Sequence, residues 1–415
     1  MLQLSAPEHI KKATIQLAGS KSISNRLLIL NEVLDLNLIL ENNSTSEDTL
    51  HLQRALKQLK NKKGGTIDIH HAGTDMRFLT ALLATKEGEW ILTGSERMKQ
   101  RPIGELVNAL RSLGAEISYL EKENFPPLKI KGKKLKGGQL EIDGSISSQF
   151  TSALLLISPT FEDGLALTLK NEIVSWPYIL MTLDLLSQFG LKVSTVLNTI
   201  NVSPTPKQET RNKKFSVESD WSAASYWYSI VALSKNVEIT LTGLNKSSSQ
   251  GDCVLPKIYE ELGVSSQFTN KGLLLTQSSN VSSKFEYDFT DCPDLAQTVA
   301  VTCFGLGIKA KLKGLKTLKI KETDRILALK TELEKFGANV EITSDSLTIL
   351  ETRNKKPETR NPINTYNDHR MAMSFAPLSL AYGPLNIQNP EVVSKSYPLF
   401  WEDLKSVGFS VNLLP

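Results

Sequence analysis

Hydrophobic and polar positions along the chain fall into two kinds of segment, and both recur. In the first kind a strand-like stretch is followed by Gly or Asn, a polar loop, an amphipathic helical period, and a Leu-, Phe- or Val-Gly pair that leads into another strand. LTGSERMKQRPIGELVNALRSLGAEISYL (92–120) is its clearest example. The same order returns at 169–194, 241–268, 312–342 and 387–411, and more weakly at 40–59. Stretches such as NALRSLG and KTELEKFG set apolar positions against a charged face, which predicts helices with one side in water.

The second kind opens on small polar residues and runs into a more apolar helical stretch: GSKSISNRLLIL, HAGTDMRFLTALLA, DGSISSQFTSALLLI, ESDWSAASYWYSIVAL, FTDCPDLAQTVAVTC and TYNDHRMAMSFAPLSLAY. These helices lack a polar face and are expected to be buried. Six copies of a strand and helix unit in 415 residues suit two domains of three units each, since a single core rarely grows past about 250–300 residues. The predicted class is therefore α/β.

Composition narrows the function without naming it. Lys and Arg number 48 against 44 Asp and Glu, a net charge of +4, so electrostatics alone argue for neither nucleic acid nor a membrane surface, and any basic site must be local. Nothing resembles a signal peptide or reaches the roughly 18 apolar residues needed to span a bilayer, so a cytoplasmic location is expected. Cys253, Cys292 and Cys303 have neither CxxC nor Cys/His spacing and read as small core residues. His70–His71 is a weak metal signal by itself.

The chemistry concentrates where the second kind of segment begins. A helix start leaves N–H groups unpaired and carries partial positive charge, so GSKSISNR (19–26) reads as an anion socket, with capping by Ser20 or Ser22 the simpler alternative. In a strand–helix unit the polar loop and the helix start share one end. Repeated units therefore gather cations there: Lys21, Arg26, Arg77, Arg97, Arg101, Lys319, Lys321, Arg325, Arg370 and Lys395. The spacing fits neither the nucleotide P-loop nor the dinucleotide G-x-G-x-x-G. KETDR (321–325) sets Glu322 between two cations, where a carboxylate can move a proton beside bound anions; Thr323 as a helix cap is the plainer reading. Asp294 in DCPDLAQ stands at a helix start, as a cap or a free carboxylate; His369 adjoins Arg370; Arg101 precedes a proline that can open a helix.

Taken in order, GSKSISNR, AGTDMR, RMKQRPIG, DGSISSQF, QGD (250–252), PD (293–294), KETDR, YNDHRMAM and SKSYP resemble the 3-phosphoshikimate 1-carboxyvinyltransferases, or 5-enolpyruvylshikimate-3-phosphate synthases, over essentially the whole chain. KETDR, NDHRMAM and RPIG together carry most of the specificity. The resemblance implies two inside-out α/β barrel domains, each of three repeated strand–helix units with buried parallel helices. One comprises residues 1–18 and 220–415 and the other 19–219, with the active site in the cleft between them.

It also implies that 3-phosphoshikimate and phosphoenolpyruvate give 5-enolpyruvylshikimate 3-phosphate and phosphate, with no metal or cofactor, in a monomer, as a shikimate-pathway step open to glyphosate. Phosphoshikimate would be held by Lys21, Ser22, Arg26, Ser147, Ser148, Gln149, Ser175, Tyr178, Asp294, Thr317 and Lys321. Phosphoenolpyruvate would be held by Lys21, Gly73, Arg101, Gln149, Arg325, Arg370 and Lys395, with Gly73 leaving room for the ligand. Lys21, Asp294, Glu322 and His369 are the implied catalytic groups.

The chain departs from the family pattern at His71, Asp75, Phe78 and Thr317, where Asn, Ala, Pro and Asn are common. Related transferases that act on a UDP-sugar commonly carry a reactive cysteine in the loop that here reads SERMKQRP, which has none. A non-catalytic binder of polyanions or RNA ends would use the same helix starts, but Asp294 and Glu322 would repel its phosphates.

Overall fold

The computed structural model describes residues 1–204, 213–352 and 361–414. The chain divides into two compact units, Met1–Gly19 with Glu218–Pro415, and Ser20–Val217, and so passes between them twice.

One sheet pattern recurs in both. In the second unit, strands Gly64–Asp68, Gly88–Thr93, Leu128–Gly132 and Glu116–Tyr119 lie side by side in that order, the first two parallel and the rest antiparallel. Parallel neighbours need a crossover, which the helix Gly73–Thr85 supplies. The same order relates Gly138–Asp143, Leu165–Lys170, Thr199–Val202 and Val193–Val196. In the first unit it returns as Ala13–Gln16, Glu238–Thr242, Gly272–Val281 and Leu262–Thr269, and again as Lys284–Asp288, Lys309–Lys313, Leu347–Thr352 and Ala338–Ile342.

The remaining repeat in each unit is cut short. In the first, the N-terminal strand Leu2–Ser5 sits between Leu385–Ile387 and Ser410–Leu413, antiparallel to both. In the second, among the described residues, Lys214–Ser216 pairs with Ile39–Glu41 alone, in keeping with 40–59 being the weakest copy in the sequence.

Strands alternate as a sheet with one wet face requires: Leu128 and Ile130 are buried, Lys129 and Lys131 exposed. Beneath the sheets lie the apolar helices. Lys21–Leu34, Gly73–Thr85 and Ser148–Ile157 pack on one another in one unit; Trp221–Leu233, Ala296–Gly305 and His369–Phe375 do so in the other. Gly73–Thr85 and Trp221–Leu233 are buried on nearly every side. Helices inside and sheets outside are what the sequence led us to expect.

Small hydroxyls let the inner helices approach. Ser225 and Thr298 lie 3.2 Å apart, Thr298 and Ser374 3.1 Å, and Thr302 and Ser229 2.8 Å, each satisfying a neighbour in the dry interior. No helix among the described residues is long and apolar enough to cross a membrane.

Candidate active site

Polar residues lie at or just before the start of every inner helix, and the two units use that end differently. In the second unit, Arg26 is 2% exposed on the helix Lys21–Leu34. Its Nε donates to Thr182 Oγ1 at 2.8 Å, Nη1 to the Ser22 carbonyl at 3.0 Å, and Nη2 to Ser152 Oγ at 3.0 Å and the Tyr178 carbonyl at 3.1 Å. The guanidinium lies 5.4 Å from the centre of the Phe78 ring. Burial lowers its pKa to about 10, against a small upward pull from Tyr178.

Lys21 Nζ pairs with Asp48 Oδ2 at 3.0 Å. Nearby, Asn25 Nδ2 donates to Asp75 Oδ1 at 2.8 Å, and Thr49 Oγ1 donates to Asn25 Oδ1 at 2.7 Å. Burial, then Asp48, pushes the Asp75 carboxyl well above its ordinary range, although Lys21 and the Asn25 hydrogen bond oppose the shift. Gln149 Nε2 donates to Thr74 Oγ1 at 3.2 Å, and Ser147 caps the helix Ser148–Ile157 by accepting from the Gln149 amide at 3.3 Å. Ser175, 5% exposed, precedes Trp176–Gln188 in the left-handed region at φ 55°.

Gly73 has a reason the sequence did not suggest. A Cβ there would lie 2.3 Å from Arg101 Nη1, so the glycine makes room for the guanidinium of Arg101, itself 6% exposed. Arg77 Nη1 donates to the Gly73 carbonyl at 3.1 Å and Nη2 to the Pro102 carbonyl at 3.0 Å, tying the RPIG loop to the helix. Arg97 and Lys319, grouped with the socket cations by sequence, are exposed.

In the first unit the cations meet carboxylates. Arg325, 1% exposed, donates through Nε to Asp368 Oδ2 at 2.7 Å, through Nη1 to Asp294 Oδ1 at 3.0 Å and through Nη2 to Glu322 Oε2 at 2.8 Å. Arg370 Nη2 reaches the other oxygen of Asp294 at 2.9 Å. One carboxylate thus spans two guanidinium groups. Burial alone would raise the Asp294 carboxyl, yet Arg370, Lys321 and Arg325 outweigh it and hold it far below the usual carboxylate range, with Glu322 opposing. Burial would likewise lower Arg325, but Asp368, Glu322 and Asp294 raise it.

Lys395 Nζ donates to the Asn367 carbonyl at 2.6 Å. The buried His369 ring opens the helix His369–Phe375, its Nδ1 3.9 Å from Asp368 Oδ1. Thr317 Oγ1 is buried with no hydrogen-bond partner among the described residues.

Local details differ from the sequence reading. Asp324, not Thr323, caps Arg325–Lys335, accepting from the Leu327 amide at 3.1 Å. A carboxylate is the stronger acceptor for a helix start. Ser20 stands at the N-cap position of Lys21–Leu34 but makes no side-chain cap. The helix after Arg101–Pro102 starts at Gly104 rather than at the proline. Asp48, Asp368, Ser152 and Thr182 were not anticipated. Asp368 lies inside the quoted YNDHRMAM, and its position one residue before a predicted helix was the available signal.

Fold and clusters together define an α/β enzyme that handles small anions. A family model described as EPSP synthase (3-phosphoshikimate 1-carboxyvinyltransferase) matches residues 6–404, and the chain belongs to that family. It is 47% identical over 411 residues to the 3-phosphoshikimate 1-carboxyvinyltransferase of Bacteroides fragilis, covering 99% of this chain and 98% of that one. To the protein of the same name from Aliivibrio salmonicida it is 37% identical over 417 residues, covering 95% and 96%. An EPSP synthase structure from Acinetobacter baumannii shares the fold, with a TM-score of 0.75 at 21% identity over 99% of this chain and all of that one.

Proposed function

We propose that the chain transfers the carboxyvinyl group of phosphoenolpyruvate to the 5-hydroxyl of 3-phosphoshikimate and releases phosphate, as a cytoplasmic monomer in the shikimate pathway. The observation that carries this reading is Asp294 held between Arg325 and Arg370, with Glu322 on the same Arg325 fork. Two guanidinium groups that accept one carboxylate of the chain suit the carboxylate and phosphate of phosphoenolpyruvate.

When the ligand takes over those arginines, Asp294 loses the charges that hold its pKa down. It regains basicity as the 5-hydroxyl must be oriented and relieved of its proton. Glu322 delivers a proton to C3 of the enol as the hydroxyl oxygen attacks C2. The tetrahedral intermediate then returns a proton from C3 and expels phosphate. Lys21 balances the leaving phosphate, Arg101 and Lys395 help to hold phosphoenolpyruvate, and His369 supports the Arg370 turn. Arg26, Ser22, Ser147, Ser148, Gln149, Ser175, Tyr178, Thr317 and Lys321 hold phosphoshikimate. Shutting water out protects the intermediate and strengthens these contacts. Glyphosate, which mimics phosphoenolpyruvate, is expected to compete with it.

Phosphate release tests the reading. It should require both substrates, and neither alone nor a UDP-sugar in place of phosphoshikimate should support it. Release from phosphoenolpyruvate alone, or none with both substrates, would overturn it.

A further inference from the structure

Behind the arginine pair lies a carboxyl that the proposed reaction does not use. Asp252 sits in the short 3-10 turn Gly251–Val254 and is 3% exposed. Its Oδ2 accepts a hydrogen bond from the Ser222 hydroxyl, and Ser222 Oγ in turn accepts from Arg370 Nη2 at 3.3 Å. Its Oδ1 is buried with no hydrogen-bond partner among the described residues.

The two segments that carry this relay are clamped together. Gln250 donates through Nε2 to the Ser219 carbonyl at 2.8 Å and accepts through Oε1 from the Trp221 amide at 3.1 Å. Asp220 caps the helix Trp221–Leu233 by accepting from the Ala223 amide at 3.0 Å. Ser222 is therefore fixed at both ends: its one proton goes to Asp252 and its lone pair faces Arg370.

We propose that Asp252 is a positioning residue for Arg370, acting through the Ser222 hydroxyl to aim that guanidinium at phosphoenolpyruvate. A guanidinium held only by Asp294 would follow that carboxylate when it moves, whereas one also anchored on Ser222 stays in place to receive the ligand. The inference rests on Arg370 binding phosphoenolpyruvate, as the proposed function has it.

The charge state of Asp252 adds a pH signature. The charged and titratable groups facing it are Asp294, Arg370 and Asp220, with the thiols of Cys253 and Cys292. Burial, then Asp294, raises its carboxyl to about 7, against the opposing effect of Arg370 and the Ser222 hydrogen bond. Ionisation above that point adds negative charge beside an anion site and weakens phosphoenolpyruvate binding.

Steady-state kinetics test this on the full chain. Ser222→Ala and Asp252→Ala should each raise KM for phosphoenolpyruvate about five-fold, the weight of one modest hydrogen bond to a charged group, with kcat and KM for phosphoshikimate within about two-fold of wild type. Asp252→Asn keeps the acceptor oxygen, so it should restore KM at pH about 6 yet stay flat to pH about 8.5, where wild type rises about three-fold relative to it. Taking the ratio cancels the ligand's own titration.

Equal changes in both KM values, or an Asp252→Asn curve that tracks wild type, would overturn the relay. If the Asp252 variants do not fold, Ser222→Ala decides alone. Wild-type enzyme that releases no phosphate with both substrates refutes the proposed function instead, and a wild type that passes that control confines any failure to the relay.

Discussion

Arg26 and Arg325 are buried alike, at 2% and 1% exposure, and stabilised by opposite means. Arg26 is surrounded by hydroxyls and carbonyls, dipoles that satisfy its N–H groups without cancelling its charge. Arg325 is ringed by Asp368, Asp294 and Glu322, which do cancel it. Around Arg325, Arg370 and Lys321 these three carboxylates leave no net charge. In the second unit Lys21 pairs with Asp48, Arg26 is held by neutral dipoles, and Asp75 is pushed towards its neutral form. One unit thus keeps a positive field ready for an anion. The other already holds the chain's own anions, and a ligand must displace them.

The largest test of this contrast is Lys21→Met. Its charge pairs with Asp48 at 3.0 Å, and Met keeps the apolar stem while removing the charge. Turnover should fall by about three orders of magnitude, as for loss of a group that balances charge and moves a proton, with the circular dichroism unchanged. Near-normal turnover would mean that the field of this unit does not depend on its best-placed cation.

Stability sharpens the contrast next. Arg325→Leu strands the buried Asp368 and takes a partner from the partly buried Asp294 and Glu322, and should cost about 3–5 kcal/mol. Arg26→Leu strands only hydroxyls and carbonyls and should cost about 1–3 kcal/mol. Urea midpoints for the unfolding of the mutated unit measure both. Equal losses would show that the neutral cage around Arg26 is as demanding as the ionic one around Arg325.

The repeat and the buried helices were legible because both are periodic and local, and the sheet order follows from the crossover each helix makes. Motif residues such as Lys21, Glu322 and Arg325 stood out because cations beside carboxylates at a helix start are unusual. Their partners did not stand out. Asp368 meets Arg325 across 43 residues, and Thr182 meets Arg26 across 156, pairings that no local pattern encodes. Gly73 was visible as a special glycine, but only the fold shows Arg101 filling the space beside it. Arg77 stood out as one more loop cation, and only the fold shows it bracing the RPIG loop through the Gly73 and Pro102 carbonyls.

The smallest effect falls on Asp75, which decides whether the second unit is as positive as argued. Burial and Asp48 raise its folded pKa above the unfolded value. Between those two values the folded chain binds a proton that the unfolded chain has released, so wild-type stability falls as pH rises through that window. Asp75→Asn keeps an oxygen for the Asn25 donor and has nothing to titrate. At acid pH, where the carboxyl is protonated in both states, the two proteins should unfold at similar urea concentrations. At pH about 8 the variant should be the more stable, by on the order of 1 kcal/mol. Scans at a series of pH values read the divergence directly. Parallel curves would mean that Asp75 carries its charge at little cost in the folded unit, which would bring its balance close to that around Arg325 and remove the difference between the two regions.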